Sequence, residues 1–584
     1  MRPNSTLIFQ LYTGREGLPV PGARVIVTNP ATGTSRTLTS DNSGKTPPLG
    51  VTAPDLSLSL APDPSALPYS RYNARIEAPG YIPVTVTGIQ IFAGVEAIEA
   101  LELAPRPRGP EGDEDVVVIE GNALEQSVPR DPDSIPPDDR RAIQPRIQRE
   151  VFIPEYITVH LGRPDNASAQ NVTVPFPDYI KNVASSEIYP TWPENALRAN
   201  ILAQLSFALN RVFTEWYRSR GYTFDITNNT AFDQYYVHGR NIFENISRLV
   251  DEIFNEYIRR KGALNPLFAQ YCNGTTVTCN GLSQWGTVTL AENGYSPLNI
   301  LKYYYGNDIE VVSTNNIQAI TSSYPGTPLR QGSVSPSVRI LERELNRIRR
   351  NYPAIPFISS VDDRFTQETT DAVIAFQKIF NLSPDGVVGS DTWNRISYIY
   401  TAVTGLAELD GEQEPLPSDP PSGILRQGSR GELVKLAQYF LRVISKYYEA
   451  VRPISIDGIF GPNTTAAVRD FQSRFGLTVD GVIGPVTWNA LYDVFMGIAN
   501  TSGLVVPYPG TPLKEGSRGE NVWLMQDYLR TLSEVYPIPV IRADGIFGPA
   551  TREAVIAFQK IAGITPDGII GPETWRRIVA ARLL

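Results

Sequence analysis

Only two cysteines occur among the 584 residues, Cys272 and Cys279 in "YCNGTTVTCNG". Two thiolates cannot complete a tetrahedral zinc site, and their spacing is not the CxxC of a redox pair. Both stand beside Asn-Gly turn signals, so a disulfide across a small hairpin is expected, with two free thiols as the alternative. An oxidised pair would argue for a compartment outside the reducing cytosol. A basic excess is also missing: 52 Lys and Arg stand against 61 Asp and Glu, a net charge of −9. Binding nucleic acid takes clustered cations, so it is excluded as the default partner. No apolar run approaches the ~18 residues of a spanning helix, so no membrane span is expected. The opening "MRPNSTLIFQLYTGREGLPV" lacks the apolar core of a Sec signal peptide. The expectation is that the chain stays where it is made or leaves by another route.

What is present is the composition of a multidomain globular protein: 42% hydrophobic, 19% charged, 49 prolines and 45 glycines. At ~150 residues per domain the length suggests about four. Residues 1–105 carry short alternating runs, "ARVIVTN", "SRTLTS", "YNARIEA", "YIPVTVTG" and "AIEALELA", separated by Pro-Gly and Asp-Asn-Ser-Gly turns. That pattern predicts an all-β sandwich. Residues 106–150, rich in Pro, Asp and Arg, read as a linker.

Residues 151–320 are aromatic-rich and mixed in character. A long helix is predicted in "PENALRANILAQLSFALNRVFTEWYRSRG", with Ala199, Leu202, Leu205, Phe207 and Leu209 on a broad apolar face and Gly221 ending it. A second runs through Ile242, Ile246, Leu249 and Ile253. A short third has Ser296 as N-cap and Pro297 at its first position.

From residue 324 one unit recurs three times, over 324–400, 422–497 and 508–584, with an acidic Pro-rich linker at 401–421. In the second copy Leu433, Leu436, Ala437, Phe440, Leu441 and Ile444 step by three and four. Val468, Phe471 and Phe475, then Trp488, Leu491, Tyr492 and Phe495, repeat that step. Each copy is therefore an all-α module of three helices around a small core, with Phe471 and Trp488 inside it. The Asp457-Gly458 and Asp480-Gly481 pairs read as turns, because one carboxylate per turn falls short of a calcium site. The first copy departs: Asp363 and Thr366 replace the glycines at 458 and 461, and Ser390 replaces Pro485. Its loops are expected to be reshaped and its binding lost.

These units, "LRQGSRGELVKLAQYFL…DGIFGPNTTAAVRDFQ…DGVIGPVTW", resemble the peptidoglycan-binding three-helix modules found on cell-wall hydrolases. The resemblance implies a wall ligand, and Arg469 and Gln472 are the candidate contacts. Repeated modules on a repeating polymer raise retention by effective concentration. The stretches "PVPGARVIVTN" and "YNARIEAPGYIPVTV" resemble the carboxypeptidase regulatory-like, transthyretin-type domains, which implies a structural or docking role toward a protein partner.

The middle region, with "ASSEIYP", "ENALRAN" and "GLSQWGTVTLAENGYSPLNILKYYYG" in that order, resembles the stage II sporulation protein D family of lytic transglycosylases. Such an enzyme needs one carboxyl group, acting first as acid and then as base while the sugar's own hydroxyl closes an anhydro ring. The resemblance places Glu187 at the acidic position, with Glu194 as fallback and Tyr189, Ser283, Gln284 and Trp285 positioning the sugar. Asn195 and Leu205 replace a Glu and an Arg of the family pattern, and His238 stands without the cysteines of a zinc site. No metal or cofactor is expected. The sequence thus suggests a β-sandwich, an α+β domain and three all-α modules. As a whole it reads as a peptidoglycan-binding protein with a wall-tethered transglycosylase domain, or a non-enzymatic wall scaffold or spore-surface component. Its expected place is the cell wall or spore envelope, with export route and mother-cell origin left open.

Overall fold

A computed structural model describes residues 5–578 except 15, 108–113, 126–149, 315, 319–323, 360, 408–423, 502–510, 534–537, 563, 572–573 and 576. Most of both sequence-read linkers lies outside these residues. The chain forms two compact units, 1–104 with 112–403 and 447–452, and 105–111 with 404–446 and 453–584.

The sandwich expected at the N-terminus is present. Its strands are β1 (Thr6–Thr13), β2 (Leu18–Pro19), β3 (Arg24–Thr28), β4 (Ser35–Thr39), β5 (Leu49–Gly50), β6 (Ser70–Glu77), β7 (Val84–Ile91), β8 (Glu96–Glu102) and β9 (Asp115–Val118). One sheet runs β4-β3-β6-β7-β9. Strand β9 and the Asn122 turn fall inside the stretch read as linker; "DVVV" pairs parallel to β7 as an edge strand. In the other sheet β8 and β1 pair in parallel, and β2 and β5 flank β1. Leu7, Phe9 and Leu11 alternate inward onto Val25, Val86 and Ile89, all fully buried.

The middle domain follows with β10 (Tyr156–His160), β11 (Asn171–Pro175) and α1 (Phe176–Glu187), then α2 (Glu194–Phe213) and β12 (Ile226–Thr227). Next come β13 (Ile242–Phe243), α3 (Glu244–Ile253), β14 (Glu256–Arg260), β15 (Tyr271–Cys272), β16 (Leu282–Ser283), α4 (Gln284–Glu292), α5 (Pro297–Tyr305) and β17 (Ile309–Ser313). Two expected boundaries move. The long helix stops at Phe213, since Glu215 takes a left-handed φ of 48°, and Gly221 instead closes a short 3-10 turn. Ile242 is not helical: β13 leaves the middle domain and pairs with β8, extending the sandwich sheet. Ser296 caps α5 as expected, accepting from the Asn299 N–H.

The first module comprises α6 (Pro336–Ile348), α7 (Gln367–Ile379) and α8 (Ser390–Ala407). The second comprises α9 (Glu432–Tyr447), α10 (Pro462–Arg474) and α11 (Pro485–Thr501), and α12 (Glu520–Leu532) and α13 (Pro549–Ile561) belong to the third. Val434, Ala437, Phe440, Leu441 and Ile444 fill the second core with Phe471 and Trp488, whereas Leu433, expected inside, is 40% exposed.

The Asp-Gly turns are held by buried amides. Gln438 donates to the Asp457 carboxylate at 2.8 Å and accepts from the Gly458 N–H at 2.8 Å. Gln526 does the same at Asp544-Gly545. Gln472 and Gln559 clamp the second turn of their modules, and Gln377 does so in the first.

The first module's other turn is the exception. Glu342 replaces the glutamine, accepting from the Asp362 N–H and the Thr369 hydroxyl. Asp363 stands where Gly458 has a φ of 72°, and it has no left-handed φ itself, so this loop is reshaped as expected. Burial raises the Glu342 carboxyl above its ordinary 4.5, with Asp362 and Asp363 adding to the rise against the two hydrogen bonds. A folded value above the unfolded one favours the protonated form, so stability grows as pH falls through the folded value toward 4.5 and is lost as pH rises. Glu342→Gln, able to donate to Asp362, should stabilise this module by about 1 kcal/mol at pH 7. The gain should shrink toward nothing near pH 4. Thermal melts of parent and variant across that range check this; a gain independent of pH would refute it.

Candidate functional site

Glu187 is the last residue of α1, and its side chain is 1% exposed. Three elements bring donors to its carboxylate. The Tyr235 N–H lies 2.8 Å from Oε1, and Gln204 Nε2 on α2 lies 2.9 Å from Oε2. The Tyr271 hydroxyl of β15 also donates to Oε2. Gln234 ties the arrangement together, donating to Tyr271 Oη at 3.0 Å and to the Gln204 carbonyl while accepting from Tyr179. Sequence reading missed Gln204, Tyr235 and Tyr271. The available signal was polar Asn200 and Gln204, four residues apart on an otherwise buried helix.

The loop bearing Gln234 and Tyr235 is anchored by a buried ion pair. Arg211 Nε donates to Asp233 Oδ1 at 2.8 Å, with side chains 2% and 0% exposed. Asp233 also accepts from Tyr217, from the Thr227 hydroxyl and from the Thr227 N–H. The Arg211 guanidinium lies over the Trp216 and Phe268 rings.

Gln284 and Trp285 open α4 beside Glu187. Gln284 Nε2 lies 3.3 Å from the Glu187 carbonyl, so it grips the backbone rather than the carboxylate. Ser283 is the N-cap of α4, accepting from the Gly286 N–H at 3.0 Å. Gly281 of "GLSQWG" is sterically required, since a Cβ there would come within 2.1 Å of the Gln270 carbonyl, and a Cβ at Gly286 would displace the Tyr304 hydroxyl. Trp285 packs on Trp192 with ring centroids 4.8 Å apart, and Tyr189 meets both. Burial pushes the Tyr189 hydroxyl well above the ordinary tyrosine range, so it stays neutral.

Glu194 is on the surface at the first turn of α2. Hydrogen bonding from Arg198 and the nearby Arg248 charge hold its carboxyl below the usual range, which suits a fixed charge rather than a proton donor. Asn195 donates to the Tyr295 carbonyl, and Leu205 is buried. Cys272 and Cys279 are bonded, with Cα atoms 6.1 Å apart. The adjacent strands β15 and β16 pair in parallel, so the bridge closes a loop and not the expected hairpin.

This centre is covered from the sandwich side. Phe92, just after β7, lies 5.2 Å from the Tyr189 ring, and the Trp192 indole donates to the Ser59 carbonyl. Asn122 reaches the Ser185 carbonyl, and Tyr235 donates to Glu120. Gln90 and Asn241 exchange hydrogen bonds at the junction of β7 and β13. Glu187, Tyr189, Trp192, Gln284 and Trp285 are each at most 6% exposed.

In the second module Gln472 is turned inward. Its amide donates to Asp480, the Val482 carbonyl and Thr487 and accepts from the Gly481 N–H, so internal bonds occupy it. Arg469 stays exposed against the same turn, and Arg552 leans on the matching turn of the third module. The first module has Thr370 and Ile374 there.

The fold and site define a multidomain chain in which an α+β domain with a buried carboxylate centre at Glu187 precedes repeated three-helix modules. Residues 334–396, 430–491 and 518–578 match the family described as peptidoglycan binding domain, and residues 165–258 match the stage II sporulation protein family. Three peptidoglycan-binding repeats thus follow a stage II sporulation protein domain. Among curated proteins, the N-acetylmuramoyl-L-alanine amidase CwlL of Bacillus licheniformis is 29% identical over 172 residues, 29% of this chain and 46% of the relative. The zinc D-Ala-D-Ala carboxypeptidase of Streptomyces albus G is 47% identical over 73 residues, 12% of this chain and 28% of the relative. The chain therefore spans less than half the length of these relatives. The solved N-terminal domain of SleB is 28% identical, covering 13% of this chain and 97% of that domain at a TM-score of 0.12. No helix among the described residues is long and apolar enough to cross a membrane.

Proposed function

We propose that this chain is a peptidoglycan-binding protein held on the wall chiefly by its second and third modules, with a middle domain that cleaves glycan strands by lytic transglycosylation at Glu187. The observation that carries the reading is the convergence of Tyr235, Gln204 and Tyr271 on a single carboxylate, with Tyr189, Trp192 and Trp285 alongside. One carboxyl suffices for this chemistry, as acid toward the glycosidic oxygen and then as base toward the sugar's 6-hydroxyl. Wall retention rests on the two later modules because they keep both glutamine-clamped turns and their exposed arginines.

A specific observation favours a second reading, a wall scaffold without turnover: a glycan strand has no path to a carboxylate that is 1% exposed. Cleavage therefore requires the Ser59, Phe92 and Asn122 cover to move away. The test incubates the purified chain, Glu187→Gln and Phe92→Ala with intact and peptide-stripped peptidoglycan, measuring pelleted protein and the masses of soluble products. Anhydro-muramyl products from the parent, raised by Phe92→Ala and lost in Glu187→Gln, are expected. Pelleting without products in every variant would establish the scaffold, and no pelleting would sink the wall reading altogether.

A further inference from the structure

A cleft opens where α8 of the first module meets α1 and α3 of the middle domain. Ile153, Pro177, Phe254 and Ile317 give it an apolar wall. Seven polar residues line the same cleft, and three of them each carry one buried atom without a hydrogen-bond partner: Asp251 Oδ2, Arg395 Nε and the Tyr398 hydroxyl. Asp251 Oδ1 pairs with Lys181 at 2.8 Å, and Arg395 Nη2 pairs with Glu16 at 2.9 Å. Asp251 is only 7% exposed. Leaving such groups unpaired in the interior is unfavourable.

We propose that this cleft binds a secondary amide. Glu155, Asp251 and Asp391 line the cleft with Arg395, which disfavours a free anion, and a neutral group can meet both the Asp251 acceptor and the Arg395 and Tyr398 donors. An amide N–H satisfies the Asp251 oxygen, its carbonyl accepts from Arg395 Nε and Tyr398, and its small alkyl substituent lies on the apolar wall. Burial keeps the Tyr398 hydroxyl protonated and able to donate. A water molecule could fill the polar half but would leave the apolar wall unused. Aligned on Trp393, Trp488 and Trp575, the second module has Ala490 and the third Arg577 at the Arg395 position, and Tyr398 gives way to Asp493 and Ala580. The first module alone therefore has the arginine and the tyrosine together. In a wall polymer secondary amides occur as N-acetyl groups on the glycan and as peptide bonds in the stems. The inference is independent of any chemistry at Glu187.

The test titrates the full chain, with ¹³C-methyl-labelled isoleucine, against a disaccharide of N-acetylglucosamine and, separately, acetyl-alanine methylamide. Shifts at Ile153 and Ile317 report this cleft apart from the later modules. Tyr398→Phe deletes only a hydroxyl without a partner and should leave the melting temperature unchanged. Expected are shifts at both isoleucines and about fivefold weaker binding in Tyr398→Phe, the loss of one hydrogen bond. Response to the sugar alone would assign the glycan, to the dipeptide alone the stem, and to both the bare amide. No response at Ile153 and Ile317, or a response that Tyr398→Phe leaves intact, overturns the proposal.

Discussion

Asp233→Asn should destabilise the middle domain by about 3–5 kcal/mol, because it strands the Arg211 charge in the interior. Asparagine preserves shape, so the loss is electrostatic. Arg211 is 2% exposed, and the Tyr217 and Thr227 donors that converge on Asp233 would lose their charged acceptor as well. In a unit of this size that corresponds to a fall of roughly 6–20 °C in melting temperature, using ~2–4 °C per kcal/mol. The damage should reach the site, since the next residues, Gln234 and Tyr235, position Tyr271 and Glu187. The double replacement Arg211→Met with Asp233→Leu should recover much of the lost stability, because a buried pair contributes little net over apolar residues of similar volume. A melting temperature for Asp233→Asn within 2 °C of the parent would show that the pair is not needed.

Replacing Gln472 and Gln559 together by Ala should abolish wall retention. Each amide holds a turn by several internal bonds, and alanine leaves the Gly481 and Gly568 N–H groups unsatisfied beside a small cavity. The combined cost, about 2–4 kcal/mol per module, approaches what so small a core can supply. Either single variant should weaken pelleting markedly and the double variant far more, because tethered copies multiply retention by factors of ~10²–10⁴. Pelleting of the double variant at the parent level, with both modules shown to be melted, would mean that retention lies elsewhere in the chain.

Most of the architecture was legible in the sequence because it is written in local patterns. Helical spacing and Asp-Gly turns announce the modules, and period-two alternation announces the sandwich. The burial of Phe471 and Trp488 follows from the same periodicity. The inward orientation of Gln472 was missed: four residues after Val468 it lies on the core face, but an amide there does not announce which groups it will bond. Its partners, Asp480 and Gly481, sit eight and nine residues on, in a loop.

The site divides the same way. "ASSEIYP" points to Glu187, but nothing local to it announces Gln204, Tyr235 or Tyr271, which arrive from three separate segments. Ile242 lies in a helix-like pattern and becomes a strand because β8 offers it an open edge, a tertiary partner that outweighs propensity. The same is true of β9, whose "DVVV" sits among acidic and proline-rich neighbours.

Composition and spacing alone determined that this chain is a string of modules with a repeated helical unit. Only the tertiary structure decided that the sandwich covers the candidate centre, that the first module docks through Arg395 on Glu16, and that an unpaired donor and acceptor face one cleft. Periodicity specifies which face of an element is buried. It does not specify against what, because that depends on contacts between residues hundreds of positions apart.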